Sequence, residues 1–133
     1  MKHGPRGWRA AAIAWTLVVV VLGLLPTHDA VHAVAAGHDN ALASLAHFGE
    51  YAILAFAVAV AFGGWSLPRR AFLWAGVYAI GLGALIELVQ VPLPYRDGQL
   101  SDVVVNAAGA ALGLALVSLT GRLRARRPRG RRG

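Results

Sequence analysis

The chain has no cysteine, which excludes disulfide staples and thiolate chemistry. Charge is scarce too: only 14% of the 133 residues are charged, and only six are acidic. A soluble helical domain of this length needs polar faces on its helices. Long apolar runs stand in their place here, and hydrophobic residues make up 57% of the chain. This shortage of charge excludes an ordinary soluble domain and indicates an integral membrane protein.

Four apolar runs, at about residues 10–26, 45–64, 71–91 and 102–120, predict an all-α, four-helix transmembrane bundle. A basic arm, residues 1–9, precedes them, and an arginine-rich tail, residues 121–133, follows. Pro26 ends the first run. Ala33-Val34-Ala35 resembles a signal-peptidase site but lies too far beyond that run, so the first span is expected to be retained.

The 13 Lys and Arg residues are distributed with a strong bias. Lys2, Arg6 and Arg9 lie in the arm, Arg69 and Arg70 in the hinge between spans two and three, and all but one of the rest beyond Gly121. Only Arg96 falls at the opposite ends of the spans. The positive-inside rule then places both termini in the cytoplasm. Net charge is +7, but the tail arginines have no aromatics interleaved, so lipid contact is expected of them rather than nucleic acid. Trp8, Trp65 and Trp74 are expected to anchor span ends at the interface.

Polar residues recur where this topology puts the outer ends of spans two, three and four. His47, Glu50 and Tyr51 share one face of the second span by their spacings of three and four. Glu87 and Gln90 close the third span, and Asp102 and Asn106 open the fourth. An ionisable residue in a membrane segment is costly, so a layer of them marks a candidate site. Arg96, in the turn between spans three and four, either pairs with Glu87 or Asp102 in an internal network or receives a ligand. The sequence leaves both open.

Other features have plainer readings. Gly109 and Gly113 form a GxxxG pattern for close helix crossing, and Gly76, Gly81 and Gly83 offer the same in the third span. His28 and His32, with Asp29 or Asp39, show no compact repeated ligand pattern, so no metal is expected. No nucleophile elbow or phosphate loop is present, and no cofactor is expected.

At His47 and Tyr51, Glu87-Leu-Val-Gln90, Arg96, Asp102, Asn106, Gly109 and Gly113, the chain resembles the VanZ-like family of small bacterial membrane proteins. The order and spacing cover about residues 45–116. Members commonly carry an Asp-Lys pair before the histidine, where this chain has Ala43-Ser44. The resemblance implies a multi-pass protein of the bacterial cytoplasmic membrane and a link to the glycopeptide teicoplanin. It implies no reaction.

Together these readings lead to an envelope protein whose outer polar layer, His47, Glu50, Tyr51, Glu87, Gln90, Arg96, Asp102 and Asn106, binds an amphiphile. The expected ligands are a membrane lipid head group, a lipid-linked cell-wall intermediate or a glycopeptide. An enzyme acting on a head group, with His47 or Glu50 as acid or base, is the weaker alternative, because no catalytic motif supports it. A transporter subunit or helical scaffold is the other, and transport by four spans would require homo-oligomers.

Overall fold

The computed structural model describes residues 5–25, 39–93 and 100–126. Several sequence expectations lie outside these residues: the loop histidines His28, His32 and His38, Arg96 with its turn, Lys2, and the tail from Arg127 onward. Four helices account for nearly all of the rest. They are α1 (Pro5–Leu24), α2 (Asp39–Gly63), α3 (Arg69–Gln90) and α4 (Leu100–Arg126). Each contains a segment long and apolar enough to cross a membrane, and no strand occurs among the described residues.

Cross-helix contacts fix the directions. Trp8 packs on Trp65 and Trp15 reaches Glu50, so α1 runs antiparallel to α2. Gly83 meets Tyr51 and Asn106, while Gly76 meets Leu114, so α3 opposes both α2 and α4. Phe48 lies against Gly109, Ala52 against Gly113 and Trp65 against Gly121, which makes α2 and α4 parallel. The bundle therefore alternates in direction. Every described arginine gathers at one end, and Glu87, Asp102 and His47 gather towards the other.

The central helix is α2. Its small residues from Leu54 to Ala61 are nearly all buried, because Ala and Val present no bulk on any side and admit neighbours all round. By contrast, α3 buries one stripe, Ala75, Ala79, Gly83, Ile86 and Gln90, at helical spacing. Its Leu73, Val77, Leu85 and Leu88 are exposed, as lipid-facing positions are.

The closest seam joins α2 to α4. A β-carbon on Gly109 would strike the Phe48 carbonyl, one on Gly113 the Ala52 carbonyl, and one on Gly121 the Trp65 carbonyl. Only glycine allows the two backbones this approach. Gly81 differs from its sequence expectation: a β-carbon there would meet nothing within 4 Å, so it contributes no close crossing.

At the arginine end, Trp8, Phe56 and Trp65 form a triangle of edge-on rings with centroids 5.7 to 6.0 Å apart. The Arg124 guanidinium covers Trp65 at 3.8 Å from the ring centroid. Trp8 and Trp65 thus hold helices to one another, whereas Trp74 is 69% exposed and free to serve as an interfacial anchor. The same contacts explain why α4 continues past Thr120, where the apolar run ends. Gly121 and Arg124 both pack on Trp65, so the first part of the basic tail is helical.

The hinge from α2 to α3 is one 3₁₀ turn, Gly64–Ser66. Gly64 has φ 60° and Leu67 φ 37°, a reversal that brings Pro68 to the start of α3.

Candidate polar site at the ends of three helices

Three groups of opposite or complementary chemistry converge where α2, α3 and α4 meet. The ligand-capable atoms of His47, Glu87 and Asp102 all lie within 4.8 Å of one another. Each residue comes from a different helix. Glu87 is buried, 5% exposed, while His47 and Asp102 are half-buried. Among the described residues, no lysine or arginine stands at this end of the bundle.

One helical turn deeper, a second layer repeats the arrangement. Tyr51 follows His47 by four residues, Asn106 follows Asp102 by four, and Gly83 precedes Glu87 by four. A methyl on Gly83 would lie 3.0 Å from Tyr51 Cε1 and 3.1 Å from Asn106 Nδ2, so these three residues are in contact. The missing side chain of Gly83 is the space that Tyr51 and Asn106 fill.

Asn106 is the outlier in this layer. It is 1% exposed, and neither its amide nitrogen nor its amide oxygen has a hydrogen-bond partner. His47 Nδ1 is likewise buried without a partner. Leaving a buried polar group unsatisfied costs about 1–3 kcal/mol, so packing alone does not account for an asparagine here.

The remaining predicted residues take other places. Gln90, 3% exposed, donates from Nε2 to the Gly23 carbonyl at 2.6 Å and so ties α3 to the end of α1. One of the two N–H donors of its amide is thereby used within the protein. Glu50 is half-buried and lies outside the three-residue cluster; its backbone carbonyl accepts from Trp15 Nε1 at 3.0 Å. Arg96 belongs to the connection between α3 and α4, outside the described residues.

Two residues of the site's support carry no polar signal in the sequence. Gly83 makes room for the deeper layer, and Gly23, close against Ile86, offers the carbonyl that holds Gln90. Exchanging Gln90 for leucine is expected to loosen α1 and to lower stability by about 0.6–1.7 kcal/mol, the range for hydrogen bonds between membrane helices. Unfolding in mixed micelles, compared with wild type, measures it.

A separate groove of about 850 Å³ between α1, α2 and α3 is lined by Ala12, Leu17, Phe62 and Trp74, with Arg9 and Arg70. It lies towards the arginine end and shares no residue with the polar cluster.

These features define a class: a four-span α-helical membrane protein with a polar cluster built from three helices at one end. The sequence matches the model of the VanZ/LLP1 family over residues 8–121, and the chain belongs to this VanZ-like family. No curated protein and no solved structure matches it.

Proposed function

We propose that the cluster of His47, Glu87 and Asp102, with Asn106 beneath it, binds the polar head group of an amphiphile. The amphiphile is a membrane lipid or a lipid-linked cell-wall intermediate. The observation that carries this reading is Asn106: a fully buried amide with an unused donor and an unused acceptor, directly below ionisable groups in an otherwise apolar bundle. A ligand oxygen or hydroxyl satisfies such an amide, and no residue of the described chain does.

In this reading both termini face the cytoplasm, because the arginine end collects the cations, and the cluster opens to the outer leaflet. Arg96, which the sequence places between α3 and α4, is the cation assigned to the anionic part of the head group. Occupying or withholding such an intermediate alters how a glycopeptide such as teicoplanin reaches its target, and membership in the VanZ-like family supports that link.

Native mass spectrometry tests the binding step. Protein released from nanodiscs made with bacterial polar lipids is expected to retain one adduct, whose mass identifies the ligand. Arg96→Ala is expected to lose that adduct. Retention to the same extent in Arg96→Ala removes the arginine from the site, and a wild-type protein without adducts removes the head-group reading.

A further inference from the structure

We propose that His47, Glu87 and Asp102 form a binding site for one divalent transition-metal ion, coordinated by an imidazole nitrogen and two carboxylate oxygens. The sequence reading weighed only His28 and His32 with Asp29 or Asp39 as ligands and expected no metal; His47, Glu87 and Asp102 stand 40 and then 15 positions apart in the chain and match no ligand motif. Only the packing of α2, α3 and α4 brings them together.

Geometry supports the assignment first. Three donors on one ion at about 2.0–2.2 Å lie about 3.3–3.6 Å apart in a tetrahedral site, so atoms already within 4.8 Å close by at most about 1.5 Å, a movement that side-chain rotation supplies. Each ligand sits on a helix, which positions it more firmly than a loop would. A carboxylate has two oxygens, so Glu87 ligates with one and keeps the other for a further partner.

Electrostatics supports it second. Charged groups gathered inside an apolar bundle are paired or coordinate a metal. A divalent ion neutralises both carboxylates at once. The nitrogen donor favours zinc, iron or nickel over magnesium, calcium or manganese, which prefer oxygen.

The independent observation is Asn106. It lies one turn inward of Asp102, in contact with residues one turn inward of Glu87 and His47. Its unpartnered amide therefore forms the floor of the cluster. A water on the ion gives that amide its partner. Three protein ligands leave a coordination position open, as in sites whose metal also binds a substrate or ligand. That an anionic head group takes this position rests on the head-group reading; the ion site itself does not.

Cobalt(II) is the probe. Tag-free full-length protein, stripped with a chelator and placed in phosphatidylcholine nanodiscs, is titrated while visible absorption is followed. One cobalt per chain is expected to bind, with ligand-field bands that zinc abolishes. Asp102→Asn and His47→Gln are each expected to weaken binding at least about tenfold. His28→Ala with His32→Ala is expected to leave it unchanged.

X-ray absorption at the cobalt edge of the wild type supplies a readout that does not depend on any variant folding. One imidazole among oxygen ligands supports the site. Two imidazoles, no imidazole, no bands above free cobalt, or binding indifferent to Asp102→Asn overturns it. Because the experiment contains no native lipid, its failure leaves the adduct measurement standing, and the reverse also holds.

Discussion

Gly113→Val is expected to cost the bundle at least about 3 kcal/mol, the upper part of the range for overpacking. A side chain at this position runs into the Ala52 carbonyl, with the Phe56 amide nitrogen close by. Both are backbone atoms of α2, so no rotamer change relieves the collision. The helices must move apart, and separation undoes the contacts at Gly109 and Gly121 along the same seam. Gly113→Ala meets the same oxygen with one carbon and is expected to cost about 2 kcal/mol. Gly81→Ala is the control. Its methyl enters open space on a lipid-facing side and removes a glycine from a helix interior, so the change is expected to stay within about 0.5 kcal/mol or to stabilise. Unfolding of purified protein in mixed micelles, followed by far-ultraviolet circular dichroism, ranks the three. Equal midpoints for Gly113→Val and wild type refute a seam built on backbone contact.

Asn106→Leu is expected to have effects of opposite sign on stability and on binding. Leucine shares the branched shape of asparagine, with two methyl groups in place of the polar atoms, and the amide it replaces is buried with neither atom partnered. Removing an unsatisfied group of this kind is neutral to stabilising, by up to about 1–3 kcal/mol. The lower end applies here, because a separated helix in the bilayer also leaves the amide in hydrocarbon. In the same variant the retained head-group adduct is expected to disappear. A stability gain joined to a binding loss distinguishes a residue kept for its ligand from one kept for the fold. Destabilisation by more than about 1 kcal/mol instead means that the amide supports the protein itself.

The fold was largely legible because its signals are local. Four apolar runs long enough to span a bilayer need no tertiary information to be read, and the arginines mark one end of each. Helical spacing also placed His47 with Tyr51, Glu87 with Gln90, and Asp102 with Asn106. What spacing does not carry is the rotation of one helix against another. That rotation turns His47, Glu87 and Asp102 towards a common point, sends Gln90 to Gly23, and leaves Gly81 facing away. Hydropathy likewise ends the fourth span near Thr120, because it registers the arginines and not the aromatic ring beneath Arg124. Asn106 was visible as a polar residue in an apolar run; its lack of a partner required coordinates.

The glycine seam also constrains the order in which the protein assembles as it is made. Helices α2 and α4 are the most intimately apposed pair, yet a whole span, α3, is synthesised between them. The backbone groove on α2 at Phe48 and Ala52 therefore enters the bilayer early and waits for its occupant. Helix α4, made after the other three, is the keystone of the bundle. A nascent chain halted before Gly109 has all its earlier helices and still lacks the contact that locks them.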